Sequence, residues 1–168
     1  LVPIILVAAR TRAGLLSNPL RGRFMAHLHF DFYSPTELSQ IIANNAKKMH
    51  INVHQDAQLE IARRSRGTPR ISNRILRRVR DYALIEEHPI VELSDVNKAL
   101  SLLDIDALGL DSMDRKILSV IKDYYSNGPV GIDALSATLG EDKQTIEEVY
   151  EPFLLKEGLL LRTPRGRV

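Results

Sequence analysis

SRGTPRISNRILRRVRDYA, residues 65–83, decides how this chain is read. Gly67 suits the end of one helix, and Thr68 and Pro69 suit the N-cap and first position of the next. Ile71, Ile75, Val79 and Ala83 then recur at helical spacing and make one apolar stripe. The stretch is therefore a helix that packs on one side, while Arg70, Arg74, Arg77, Arg78 and Arg80 occupy its other sides. Arg70 lies in the first turn, beside the positive helix end, where an anion would bind. The alternative for these arginines is a solvated basic face.

Helical signals continue on both sides of this stretch. Ser34, Pro35 and Glu37 spell a capping box, and Leu38, Ile42, Ala46 and Met49 mark one face behind it. A short helix fits residues 56–66, with Leu59 and Ala62 inward. Ser94 is the expected cap of a fourth, with Val96, Ala99, Leu100 and Leu103 facing in. Four helices of this size make a small bundle. DIDALGLDS, residues 104–112, then breaks the pattern with turn formers. Beyond it come a helix over 113–125, a GPVG turn at 128–131, a short helix to Leu139, a helix over 142–154 and a strand at LLLR. Three helices and a terminal hairpin are the parts of a winged helix.

Upstream of the bundle, LVPIILVAA at residues 1–9 is too short to cross a bilayer and lacks the basic start of a signal peptide; it reads as a buried parallel strand. Residues 11–24 suggest a loop and a short helix. HLHFDFY at 27–33 alternates polar and apolar residues as a strand does. The fold class is thus mainly α, with the end of an α/β sheet domain at residues 1–33, a helical domain at 34–105 and a winged helix, its wing cut short, at 106–168. A chain that opens on a core strand without methionine is expected to continue a longer protein.

The 168 residues are 44% hydrophobic and contain no cysteine, which excludes disulfides, thiolate metal sites and cysteine nucleophiles and fits a reducing cytoplasm. The net charge of +2 hides an uneven distribution. Eight arginines fall between Arg63 and Arg80, whereas residues 106–161 hold eleven acids against five bases. Three arginines then close the chain in RTPRGR, residues 162–167, where Pro164 and Gly166 shape a tight turn from which Arg162, Arg165 and Arg167 project with no acid among them. This is a nucleic acid backbone contact in expectation, against the alternative of mere solubility. The preceding helix carries Asp142, Glu147, Glu148 and Glu151, so phosphate should be repelled there and sequence should not be read. Arg21 and Arg23 stand on a loop with Phe24 behind them. His27 and His29 share one strand face without a third ligand at suitable spacing, so no metal is expected. Neither a nucleophile with its base nor a GxxxxGK[ST] phosphate loop is present.

Taken in order, TRAGLLSNPLRGRF, RGTPRISNRILRRVRDYA, LDSMDRKIL, GPVG, TIEEVYEPFL and RTPRGR closely resemble the RuvB family of Holliday-junction branch-migration motors, across essentially the whole chain. The resemblance implies an AAA+ ATPase assembled as a hexameric ring on DNA with a RuvA-type junction-binding protein, acting in recombination and repair, cytoplasmic and without a membrane segment. This chain would span the end of the ATPase domain, the helical lid and the winged helix. ATP or ADP would be the cofactor, with Mg2+ held by upstream residues, so the chain alone should not hydrolyse ATP.

By the family pattern, Thr11 matches the sensor 1 threonine and Arg23 the arginine finger that reaches a neighbouring subunit's nucleotide. Arg70 matches the sensor 2 arginine, Tyr33 and Pro69 match positions packed near the adenine, and Arg162 and Arg167 match wing arginines that touch DNA. Arg10 departs from the small threonine usual beside sensor 1, and MAHLHFDFY departs from a glycine-led pattern. Two rival readings are a non-catalytic winged-helix regulator, which would prefer one duplex sequence, and a clamp-loader-type AAA+ subunit, which would not need the basic wing.

Overall fold

The computed structural model of the protein describes residues 5–9 and 17–168, which divide into a unit ending at Asp31 and a second unit spanning Phe32–Val168. In the first unit, Ser17 precedes a single helical turn, α1 (Asn18–Arg21), with Pro19 in its opening positions. Residues 5–9 and 24–33 are irregular rather than the expected strands, and Ile5, Leu28 and Phe30 are exposed. An apolar or alternating run specifies a strand only when a neighbour accepts its backbone hydrogen bonds, and no described residue pairs in a sheet with either segment.

The second unit begins with the bundle. Ser34 caps α2 (Pro35–Lys48): the Ser34 hydroxyl accepts from the Glu37 N–H at 3.3 Å, and the Glu37 carboxylate accepts from the Ser34 N–H at 2.8 Å. The hydrogen bonds from Ser34 hold the Glu37 carboxyl below the usual range. After β1 (Asn52–Val53) come α3 (Gln55–Arg63) and α4 (Pro69–Ile85), then β2 (Ile90–Val91), which lies parallel to β1 with Val53 opposite Val91. The last bundle helix is α5 (Leu93–Leu102). Its N-cap is Glu92 rather than the expected Ser94, because Asp95 reaches back to accept from the Glu92 N–H at 2.9 Å. The core is Leu38, Ile42, Ile61, Ile75, Leu76 and Leu100 with smaller neighbours.

The winged helix has a separate core around Ile117, Leu135, Ile146, Leu154 and Leu160. It comprises α6 (Ser112–Tyr125), α7 (Ile132–Leu139), a third helical stretch and the hairpin β3 (Arg162–Thr163) and β4 (Gly166–Arg167). The third stretch is not the uniform helix expected. It runs as α8 (Lys143–Thr145), a π turn (Ile146–Tyr150) and α9 (Glu151–Lys156). Pro152, in the opening turn of α9, has no N–H to give and its ring crowds the carbonyl four residues back, which accounts for the widened turn. Val130 and Arg167 exchange backbone hydrogen bonds of 2.9 and 2.8 Å, adding a third short strand to the wing.

A connector with Gly109 at φ +80° joins the two cores. A Cβ there would stand 3.2 Å from the Arg64 carbonyl. Arg64 donates to the Asp106 carbonyl, and Arg66 Nη2 reaches Asp114 Oδ2 at 2.5 Å and Asp111 Oδ2 at 3.0 Å. Asp111 caps α6, its Oδ1 accepting from the N–H groups of Met113 and Asp114 at 3.0 Å. Burial raises the Asp114 carboxyl to about 6, against the lowering pull of the Asp111 N–H and Arg66. Burial acts in the same direction on Asp111, but its hydrogen bonds and Arg66 outweigh it and hold that carboxyl low.

Two expectations follow for stability. At Gly166, φ is +139° and a Cβ would fall 2.3 Å from the Val130 carbonyl oxygen, so Gly166→Ala should destabilise the winged helix by more than about 1 kcal/mol in denaturant unfolding. Asp114 binds its proton more tightly folded than unfolded, so its stabilising contribution is fully present below about pH 4 and is lost as pH rises through about 6. The melting temperature of Asp114→Asn relative to the parent should therefore climb between about pH 5 and about pH 7.5, and a flat difference would show Asp114 ionised throughout.

Candidate functional site

The wing places its three arginines in three different environments. Arg167 is buried, its side chain only 9% exposed, with Nε donating to Glu151 Oε1 at 2.7 Å and Nη2 to Glu147 Oε1 at 2.8 Å. Burial works against its charge, but the Glu151 and Glu147 carboxylates outweigh burial and raise its pKa further. Arg162, opposite Arg167 in the ladder, also donates to Glu151 and lies 3.8 Å from Glu147, with about half its side chain in solvent. Glu151 itself is fully buried.

Arg165 alone of the three is exposed without an ion pair among the described residues. Its N–H donates to Thr163 Oγ1 at 3.3 Å, and that hydroxyl donates to the Gly166 carbonyl at 2.9 Å, which fixes the turn tip. Arg167, expected at the DNA, has its guanidinium paired internally with Glu151 and Glu147. The reading of the acidic helix changes too, since Glu147 and Glu151, one turn apart, face the hairpin rather than solvent phosphate.

In the lid, Arg70 is exposed in the first turn of α4, directly after the half-buried Pro69. The loop ahead of it is held close to Tyr33, whose N–H donates to the Gly67 carbonyl at 2.9 Å. The structure thus brings Tyr33, Pro69 and Arg70 to one corner of the second unit. Arg23 is exposed after α1 in the first unit, and Thr11 and Arg10 lie outside the described residues. His29 Nε2 is 3.4 Å from Asp31 on an exposed stretch.

Pairing separates the arginines of the second unit into two classes. Arg63, Arg64, Arg66, Arg80, Arg115, Arg162 and Arg167 each contact a carboxylate. Arg70, Arg74, Arg77 and Arg78 form no ion pair among the described residues and are all exposed. Their spacing of four, seven and eight residues from Arg70 puts them on one side of α4. Like charges at that spacing destabilise a helix slightly, by about 0.2–0.5 kcal/mol a pair, so the face suits an anionic partner. Arg74 and Arg78 also line a groove of about 450 Å3 with Ile71, Met113 and Tyr150. Sequence reasoning missed the Glu151 node; the signal available was two acids at helical spacing ahead of a basic hairpin.

Residues 33–106 match the RuvB AAA lid domain, and residues 107–168 match the RuvB C-terminal winged helix domain. The Holliday junction branch migration complex subunit RuvB of Protochlamydia amoebophila is 50% identical over 162 residues, covering 96% of this chain and 49% of that protein. The solved Holliday junction branch migration motor RuvB of Thermotoga maritima is 49% identical with a TM-score of 0.90, covering 94% of this chain and 53% of its own. A solved point mutant of the same Thermotoga protein matches at the same identity, TM-score and coverage. The chain thus spans about half the length of the relatives it matches. With a lid match followed directly by a winged-helix match, and half its residues shared with a full-length relative, the chain belongs to the RuvB family.

Proposed function

We propose that this chain is the lid and DNA-contacting part of an ATP-driven Holliday-junction branch-migration motor. The observation that carries the reading is the division of arginines on a RuvB-type scaffold: those inside are neutralised by carboxylates, while Arg70 with its α4 neighbours and Arg165 at the wing tip are left open to anions. The two open sets face separate tasks, one a nucleotide and the other a DNA backbone.

The nucleotide supplies a hydrolysable phosphoanhydride. Arg70 fits it, because an unpaired guanidinium beside a helix start offers directional donors to a phosphate. Arg23 would reach a neighbouring subunit's γ-phosphate in trans, Thr11 would contact that group in cis, and Tyr33 and Pro69 would pack against the adenine. Mg2+ belongs to a phosphate-loop and acidic-motif set that this sequence lacks, so the chain by itself is inactive. At the wing, Arg165 and the exposed half of Arg162 grip the DNA backbone, and Arg167 holds the hairpin that presents them. Backbone contact without base contact suits a motor that passes any sequence. The working assembly is a homo-hexameric ring acting with a RuvA-type protein in the cytoplasm. No described helix is long and apolar enough to cross a membrane.

Two measurements test the roles. Arg165→Ala should weaken duplex binding uniformly across sequences and reduce the slope of log affinity against log salt by about 1, whereas Arg167→Ala should first lower the stability of the winged helix. An Arg165→Ala protein with unaltered salt dependence would remove the wing tip from the DNA contact. In assembled rings carrying this chain, Arg23→Ala should cut ATP turnover by about 10³-fold or more, and unchanged turnover would refute the finger assignment.

A further inference from the structure

We propose that Arg66 is a positioning residue that makes the lid and the winged helix turn as one body, so that movement at the Tyr33–Arg70 corner is delivered to the wing. This rests on the motor reading above. Arg66 belongs to the loop between α3 and α4, yet its side chain is spent entirely on the other core. Nη2 is shared by Asp111 and Asp114, Nε donates to the Gly109 carbonyl at 3.0 Å, and the guanidinium carbon lies 5.0 Å from the centre of the Phe153 ring. One residue thereby touches the connector, the capped start of α6 and the body of α9.

The contacts to α6 are hard to replace. Asp111 and Asp114 are the two members of the α6 capping box, so the same carboxylates that complete the helix end also receive the cation. Asp114 is fully buried, and rotating the winged helix away from the lid would strand it without its counter-ion. Two further ties, Arg64 to the Asp106 carbonyl and Arg115 to Asp104 at 2.6 Å, hold the connector. A connector held at one edge permits hinge motion about that edge, whereas Arg66 reaches past it to two helices.

The loop that carries Arg66 is equally constrained from the nucleotide side. Arg66 has φ +54° and Gly67 φ +73°, left-handed conformations that for a non-glycine residue persist only where the surroundings impose them. The Gly67 carbonyl is taken by Tyr33, and a Cβ on Gly67 would fall 2.7 Å from the Phe32 Cβ. The Phe32 ring in turn receives Lys156 of α9 at 5.1 Å. Four residues after Arg66 stands Arg70. A shift of that corner therefore has a short, stiff route to α6 and α9.

The test uses the absence of cysteine: Lys98→Cys on α5 and Lys122→Cys on α6, both exposed, take spin labels for pulsed EPR distances. The parent should give one narrow distance distribution. Arg66→Met combined with Asp114→Asn removes the buried pair together, leaving only the partly exposed Asp111 without its cation, and should broaden the distribution about twofold or more; Arg66→Lys, which cannot fork, should fall between. In rings carrying this chain, the same variants should keep ATP turnover within about twofold while junction movement per ATP falls by about tenfold.

Distances as narrow in the variants as in the parent, or junction movement unaffected, would overturn the role of Arg66. If the double variant does not fold, Arg66→Lys decides on the same two readouts. A parent with no DNA-dependent turnover would refute the motor reading instead, and the distance measurement alone would then support or overturn Arg66 as the rigid link.

Discussion

A carboxylate removed from water is costly to keep charged, and far more so without a cation beside it; the second unit of this protein is organised around two such groups, Asp114 and Glu151. Each is fully buried, and each is met by arginine from a different element: Asp114 by Arg66 from the loop before α4, and Glu151 by Arg162 and Arg167 from the hairpin. These pairs set the relations that the apolar cores leave open. The bundle and the winged helix bury separate sets of side chains, so neither core fixes the other's orientation. A hairpin of two-residue strands is marginal by itself, and Glu151 beneath it and the Val130 bridge beside it help hold it against the helix.

The same chemistry separates arginines paired within the fold from those left open. Guanidinium groups within reach of internal acids are neutralised and oriented, and they act on the shape of the protein. Those on the outer side of α4 and at the wing tip have no such partner among the described residues and remain free to bind phosphate. Arg162 spans the two classes, with one end of its fork on Glu151 and about half of its side chain in solvent. The net charge of residues 106–161 consequently overstates how acidic the wing face is, because part of that charge is spent on Arg162 and Arg167.

Helix positions and caps were readable because they rest on short-range chemistry. Ser34 with Glu37, Thr68 with Pro69, and the apolar stripe of α4 act over one or two turns. The π turn was not readable as such, although Pro152 marked where a regular helix would be disturbed. The strands expected over residues 1–9 and 27–33 show the opposite limit. The apolar run at 5–9 and the alternation at 27–33 are real in the sequence, but pairing depends on a partner strand that no described residue supplies.

By itself the sequence determined the four-helix bundle, the winged-helix parts, the segregation of positive charge into the stretch before and along α4 and the terminal turn, and the likeness to the RuvB family. Local periodicity, capping residues and composition are sufficient for the first three, since each depends on neighbours within a few positions, whereas the likeness rests on long motifs in matching order. The tertiary structure alone decided which arginines face inward. Arg66 meets Asp114 across forty-eight positions and Arg167 meets Glu151 across sixteen, separations at which no spacing rule relates one side chain to another. Whether a charge stays open to a ligand or is cancelled within the fold depends on which distant group burial places beside it.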